Sequence, residues 1–188
     1  MPDLPQTRRL LEEGLEQNRS RGYTLSGFFR GKPFTFFGGK VSRPDATVCW
    51  YSAGKPVVSA GVLRVLEEKP EAWGWPMHRT FPELEGSHLG NETLVAILTH
   101  QTGLRFVDLD LSATDPEIFQ TLARAKPEDF QIQAGQPAYD PRGGWWLLTQ
   151  WITRQTNRPW SNYLHETILA PTGAVSYTHL RAHETLRY

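Results

Sequence analysis

Two aromatic-rich runs that meet at a short glycine-bearing segment constrain the fold of this chain most. The stretch YTLSGFFRGKPFTFFGGKV, residues 23–41, carries aromatic and β-branched residues on both sides of Arg30-Gly31-Lys32. Such side chains favour extended strands, and a short connection containing glycine lets two strands reverse direction. The stretch therefore predicts an antiparallel β-hairpin.

Helical periodicity dominates the rest of the chain. Apolar residues recur at intervals of three and four, and they predict helices over residues 7–19, 52–66, 91–104, 115–125, 143–156 and 159–169. Residues 69–89 keep no sustained period and are expected to form an irregular connection. A helix, a hairpin and then mostly helices, without regular strand–helix–strand alternation or an internal repeat, predict the α+β class.

Capping signals indicate where some of these elements begin and end. Asn91 is the expected N-cap of the helix over 91–104, and Gly103 is its expected stop. Asp115 is the expected cap of the next helix, with Pro116 in its first position. The strand-like run TVCWY, residues 47–51, ends where Ser52 begins a helix.

Charge and cysteine content narrow the partners and the location. The 188 residues contain 20 acidic and 20 basic side chains, without a basic stripe interleaved with aromatics, which argues against nucleic acid and anionic membranes as partners. The single cysteine, Cys49, cannot form an internal disulfide, and the N-terminal sequence lacks the apolar core of a secretory signal. No segment approaches the roughly 20 apolar residues of a membrane span. We therefore expect a cytoplasmic protein whose partner is a small-molecule or peptide substrate.

A serine and a lysine lie three residues apart in TVCWYSAGKPVVSAGVL, residues 47–63. Residues three apart on a helix share a face at roughly 5–6 Å, so Lys55 can reach the hydroxyl of Ser52. A lysine accepts a proton only where its ammonium form is disfavoured, and Trp50 with residues 57–62 provides apolar surroundings. The helix N-terminus also favours developing negative charge. The alternative is that Ser52 is only a helix cap.

Three longer segments extend this signal: YSAGKPVVSAGVLRVLEE, LVAILTHQTGL and AYDPRGGWWLLTQWITRQTNRPWSNYLHETILAPTGA. In sequence, order and approximate spacing they resemble the serine hydrolases related to class C β-lactamases and penicillin-binding proteins. In that family a Ser-x-x-Lys helix is followed by a helix ending in Leu-Thr-His-x-x-Gly-Leu, and later by Tyr-x-Asn. The resemblance runs from Leu10 to Ala174. It implies an α+β fold of the β-lactamase/transpeptidase type, with the helical subdomain and first strands present and the C-terminal strands of the antiparallel sheet missing.

The resemblance also implies roles for three residues. Ser52 corresponds to the acylated nucleophile, Lys55 to its proton acceptor, and Tyr139 to the second-motif tyrosine, which can act as a phenolate base or proton relay. The implied activity is hydrolysis of an ester, amide or lactam carbonyl through an acyl-enzyme, as in esterases, D-amino-acid peptidases and β-lactamases. No metal or organic cofactor is implied. For Tyr139 the alternative is a partly buried loop aromatic.

Two departures from the family pattern affect the expected activity. Pro141 stands where the family has asparagine, and the side chain of proline neither donates nor accepts a hydrogen bond. Asp140 or Arg142 could substitute, although neither matches the motif. The third motif, Lys-Thr-Gly or His-x-Gly on a later strand, is absent, so we expect the 188-residue chain to be inactive. The alternatives to an enzyme are a non-catalytic binding protein on the same scaffold and an inactive truncated fragment.

The last residues, VSYTHLRAHETLRY, leave the family pattern and resemble translated sequencing adapter. We therefore divide the chain into a hydrolase-like portion, residues 1–174, and a tail, residues 175–188, that is not native sequence. His179 and His183 in this tail have the i, i+4 spacing of zinc ligands, but no third ligand is apparent and no metal site is expected. His100, in LTHQTGL, is expected to have a capping or core hydrogen-bonding role.

Overall fold

The computed structural model describes residues 4–43, 51–130 and 136–173. The chain divides into two compact units, Met1–Val48 and Cys49–Tyr188. Cys49, Trp50 and most of the predicted strand over 47–51 lie outside the described residues, as does the tail with its two histidines.

The first unit contains the predicted hairpin. Strand β1, Gly22–Phe29, pairs antiparallel with strand β2, Lys32–Gly39, in a register that ends at Phe29 opposite Lys32. The two connecting residues, Arg30 and Gly31, have φ angles of +50° and +76°. Two successive residues with positive φ match the right-handed twist of the strands, and glycine adopts this conformation at no steric cost. The hairpin prediction is confirmed.

One helix of the first unit packs on this hairpin. Helix α1, Pro5–Glu16, begins with a proline in its first turn, where the missing N–H costs nothing. The guanidinium of Arg8 lies 4.4 Å from the ring centroid of Phe36, and the Tyr23 hydroxyl donates to Glu12 at 2.8 Å. Since α1 buries no residue of its own, these side-chain contacts attach it to the strands.

The described residues of the second unit form helices and short turns joined by irregular segments, with one isolated β-bridge between Pro76 and Thr93. A 3₁₀ turn, Tyr51–Gly54, leads into α2, Lys55–Glu68, and short 3₁₀ turns make up most of the predicted irregular connection. The further helices are α3, His88–Asn91; α4, Leu94–Leu98; α5, Asp115–Arg124; α6, Gly143–Thr156; and α7, Trp160–Leu164, which continues through a π turn to Leu169. None of the helices among the described residues has the length and apolar character needed to cross a bilayer.

Helices α2, α6 and α7 form the centre of the core. The apolar faces predicted for α2 and α6 are buried, and the α6 side chains with no exposed surface are Leu147, Leu148, Trp151 and Ile152. Burying a side chain of this size stabilises the fold by roughly 1.5–3 kcal/mol. Gly61 of α2 lies directly against Leu164 of α7, where a Cβ atom would overlap the leucine side chain. The close approach of these two helices therefore requires glycine.

Two predicted helix caps are wrong by one or two residues. Thr93 caps α4 through a hydrogen bond from the Ala96 amide, whereas Asn91 ends α3. Helix α4 ends at Leu98, so Gly103 is not its stop. Thr114 rather than Asp115 caps α5, because Thr114 and Glu117 form a reciprocal capping box.

Candidate active site

Ser52 lies in the 3₁₀ turn that immediately precedes α2. Helix α2 has no side-chain capping hydrogen bond, and its N-cap residue is Gly54. The Ser52 hydroxyl instead bonds to side chains of two other residues. The alternative reading of Ser52 as only a helix cap therefore does not describe its contacts.

The structure brings the three predicted site residues together. The Ser52 Oγ and Tyr139 Oη atoms lie 2.5 Å apart, although 87 positions separate the two residues in the chain. The Lys55 Nζ atom donates to the same serine oxygen at 3.3 Å. Ser52 is exposed and Lys55 is half-buried, so the serine hydroxyl faces solvent while the lysine is held behind it.

Pro141 contributes a polar atom through its main chain, although its side chain has none. Its backbone carbonyl accepts a hydrogen bond from Lys55 Nζ at 3.2 Å. The ammonium also lies 5.2 Å from the ring centroids of both Tyr139 and Trp145. The position that replaces the motif asparagine therefore still holds the lysine, through the main chain. Any residue type has a carbonyl, so no sequence signal could have shown this contact.

The environment of Tyr139 lowers the pKa of its phenol. The hydrogen bond with Ser52 lowers the pKa of the Tyr139 phenol most, and the Lys55 ammonium lowers it further through its own hydrogen bond and its charge. Partial burial and the Asp140 carboxylate act in the opposite direction. Tyr139 is 43% exposed in the segment before α6, so it is also the partly buried loop aromatic of the alternative, with its hydroxyl in contact with Ser52. A lowered pKa increases the fraction of Tyr139 present at a given pH as phenolate, which is the form that can accept a proton.

Asp140 fixes the start of α6 instead of replacing the motif asparagine. Its carboxylate accepts hydrogen bonds from the amides of Arg142 at 3.1 Å, Gly143 at 3.2 Å and Gly144 at 2.8 Å. The side chain is buried, and a Cβ atom on Gly143 would lie 2.9 Å from one of the carboxylate oxygens. An aspartate followed three residues later by Gly-Gly is the sequence signal for this close approach. The contact anchors the residue next to Tyr139.

His100 lies behind Tyr139 and has the hydrogen-bonding role that the sequence indicates. Its carbonyl accepts from the Ala138 amide at 2.7 Å, and its ring Nδ1 accepts from the Asp140 amide at 3.3 Å. The ring centroid lies 4.8 Å from that of Tyr139 and 5.8 Å from that of Trp145. Burial and the Lys55 ammonium lower the pKa of His100, and the Asp140 carboxylate partly offsets them.

Two other histidines, His78 and His88, contact backbone carbonyls. His78 contacts the carbonyl of Gly90 at 2.9 Å, and His88 contacts that of Thr102 at 2.5 Å as well as the Glu92 carboxylate at 3.4 Å. Across the residues that the structure describes, no group of three or more metal-ligating side chains is placed to hold a metal ion.

Comparison with known proteins now identifies the family. A family model described as β-lactamase matches residues 7–188. The chain belongs to the β-lactamase family. No curated protein sequence gives a significant match to this β-lactamase-family chain.

Solved structures show the same fold. A class C β-lactamase from Rhodobacter sphaeroides matches with a TM-score of 0.70 at 20% identity, over 88% of this chain and 48% of that one. A class C β-lactamase mutant matches with a TM-score of 0.75 at 15% identity, over 92% of this chain and 51% of that one. The chain spans about half the length of these β-lactamases. The predicted family resemblance and α+β fold class are confirmed.

Proposed function

We propose that these residues belong to a serine hydrolase that forms an acyl-enzyme on Ser52. The observation that carries this proposal is the joint contact of Tyr139 and Lys55 with one exposed serine hydroxyl. A serine is a weak nucleophile until a neighbouring base takes its proton, and two polar groups converge on it here. Membership of the β-lactamase family supports the same reaction class.

In the proposed reaction Tyr139, as phenolate, takes the proton from Ser52 Oγ while this oxygen bonds to the substrate carbonyl carbon. The carbonyl π electrons move to its oxygen, and the positive end of α2 favours that charge. The intermediate then expels the leaving oxygen or nitrogen, which receives the proton from Tyr139. Water repeats the sequence on the acyl-enzyme, releases the acid and restores the Ser52 hydroxyl.

Lys55 stabilises the phenolate in this mechanism instead of acting as the first proton acceptor. Its Nζ donates to Ser52 and to the Pro141 carbonyl, and the phenol of Tyr139 lies closer to the serine oxygen than the lysine does. The Lys55 ammonium, held by the Ser52 hydroxyl and the Pro141 carbonyl, supplies positive charge next to the Tyr139 phenolate. The role differs from the sequence-based expectation for Lys55, and both are tested by the variants below.

An ester is the substrate class that we propose, among the ester, amide and lactam carbonyls of related enzymes. Pro141 offers no side-chain amide to recognise an amide of the substrate. Exposed aromatic rings adjoin the nucleophile: Tyr51 is 76% exposed beside it in the chain, and Phe106 is 57% exposed with its centroid 6.5 Å from that of Tyr139. These surfaces favour an apolar acyl group.

A covalent probe tests the proposal. The full-length protein that carries these residues is treated with a fluorophosphonate, and the labelled peptides are identified by mass spectrometry. We expect labelling of Ser52 that is absent in Ser52→Ala. Ser112 provides an internal control, because its hydroxyl donates to the Asp110 carboxylate at 2.6 Å and should remain unlabelled. A folded protein without label on Ser52 would instead support a non-catalytic binding protein.

A further inference from the structure

His100 holds the backbone on both sides of Tyr139. The Ala138 amide precedes the tyrosine and donates to the His100 carbonyl, and the Asp140 amide follows it and donates to the His100 ring. Tyr139 is itself 43% exposed, so its own burial fixes its position only in part. These two hydrogen bonds and the ring contact at 4.8 Å therefore set where the phenol lies relative to Ser52.

The conformation of His100 allows one residue to make both bonds. Its φ angle is +57°, a region that few residue types other than glycine adopt, with Asn, Asp and His the most frequent. The following residue, Gln101, donates its amide to the Ala96 carbonyl at 2.7 Å and closes the chain after α4. Strained backbone positions persist when surrounding contacts determine them, and they cluster at functional sites.

The bond from the Asp140 amide requires one protonation state of the imidazole. An N–H donor needs a lone pair on Nδ1, and this lone pair exists only in the neutral ring that carries its proton on Nε2. The titratable groups that face the ring are Lys55 from α2 and Tyr139 and Asp140 from the segment before α6. The Lys55 ammonium opposes a second positive charge, and Asp140, whose carboxylate is engaged by α6, favours it.

We propose that His100 is a pH-sensitive positioning residue, which in its neutral form holds Tyr139 against Ser52 and on protonation releases it. The imidazolium presents an N–H to the Asp140 amide, which breaks one of the two bonds that flank Tyr139. It also adds a positive charge next to Lys55. This inference rests on the proposed function. It attributes the fall in the reaction rate of Ser52 at acidic pH to the protonation of a residue that does not touch the substrate.

Two substitutions separate the positioning role from a general structural role. His100→Asn keeps an acceptor near the position of Nδ1 and tolerates positive φ, but it does not titrate. His100→Ala removes the acceptor. The matched control is His78→Asn, which changes another half-buried histidine that bonds to a carbonyl outside the site.

Two measurements are made on these proteins between pH 4.5 and pH 8. The first is the rate constant for fluorophosphonate labelling of Ser52 in the full-length protein. The second is the amide chemical shift of Asp140 in the same full-length protein, followed by NMR, which reports the hydrogen bond without any reaction. We expect the wild-type labelling rate and the Asp140 shift to change with one common midpoint, and His78→Asn to leave both curves unchanged.

At neutral pH, Ser52 of His100→Asn should be labelled at a rate within about threefold of wild type, and this rate should no longer fall at acidic pH. In His100→Ala, labelling should be at least tenfold slower than wild type at every pH. The inference is overturned if the labelling rate of His100→Asn still falls at acidic pH. It is also overturned if the chemical shift of Asp140 and the labelling rate of the wild type change with different midpoints. If His100→Ala does not fold, His100→Asn still decides. Absence of Ser52 labelling in every protein rejects the proposed function, and with it the positioning role, while the Asp140 shift alone shows whether the hydrogen bond titrates.

Discussion

Replacing Asp140 should destabilise the protein, although the hydrogen-bond partners of its carboxylate are backbone amides and not charged side chains. The side chain is 6% exposed and accepts three amide hydrogen bonds at the start of α6. In Asp140→Ala all three amides lose their acceptor. The matched control is Asp110→Ala, because Asp110 also accepts a backbone amide, from Ser112 at 2.9 Å, but in an exposed turn.

The expected size of the effect follows from burial. Gly143 and Gly144 are buried, so two amides are left without an acceptor away from solvent, and each such loss costs roughly 1–3 kcal/mol. Removing negative charge from a helix N-terminus costs roughly 0.3–1 kcal/mol more. Water that enters the vacated space recovers part of this. The free energy of unfolding of Asp140→Ala should therefore fall by about 3 kcal/mol.

Urea unfolding followed by circular dichroism measures this difference by linear extrapolation. Asp140→Asn should lie between wild type and Asp140→Ala, because an amide keeps one acceptor oxygen but directs a donor at one of the backbone amides. Asp110→Ala should change much less, since water replaces the lost acceptor. A loss below about 1 kcal/mol in Asp140→Ala, or a loss equal to that of the control, would refute the reasoning.

Three other contacts give measurable outcomes. Ser52→Ala should raise the pKa of the Tyr139 phenol, because the serine hydrogen bond is the largest cause that lowers it; unchanged phenolate absorbance in an alkaline titration would contradict this. Gly61→Ala should lower the free energy of unfolding by roughly 1–3 kcal/mol, since the added methyl overlaps a buried leucine of α7; equal thermal midpoints would show that the helices can separate. Hydrogen bonds from Arg154 hold the pKa of the Glu83 carboxyl below its ordinary 4.5. The ion pair therefore stabilises the fold above pH 4.5, and this stabilisation is lost as the pH falls through the lowered pKa of Glu83. Glu83→Gln should flatten this acid decline of the thermal midpoint, and an unaltered decline would exclude the pair as its source.

Local patterns in the sequence predict the elements whose apolar faces are buried. The intervals of three and four in α2 and α6 identify the buried faces because a helix that packs on one side needs that period. The hairpin is equally local, since Arg30 and Gly31 form a two-residue turn between adjacent strands. The cap of α5 does not follow from residue type, because Thr114 and Asp115 are both good cap residues and only the bond between Thr114 and Glu117 selects the first.

The site is predicted only as far as side-chain types reveal it. Ser52, Lys55 and Tyr139 could be found from spacing and family resemblance, and the structure brings them together. The Pro141 carbonyl contact and the two bonds of His100 could not be found from the sequence, because each uses at least one backbone atom and joins residues about 40 or more positions apart. Such contacts depend on the path of a loop, which no local pattern of side chains fixes. The boundary of the tail at residue 175 stays a prediction.

The most direct test of the central claim measures the acylation rate of Ser52 in Tyr139→Phe, in Lys55→Met and in the double variant. Tyr139→Phe keeps the ring against His100 and removes only the hydroxyl that contacts Ser52. If Tyr139 and Lys55 act as one unit on the serine, each single variant should slow fluorophosphonate labelling by roughly 10²–10⁴-fold, and the double variant should be little slower than either. Labelling within about threefold of wild type in Tyr139→Phe would contradict the account, because the tyrosine would then have no part in activating Ser52.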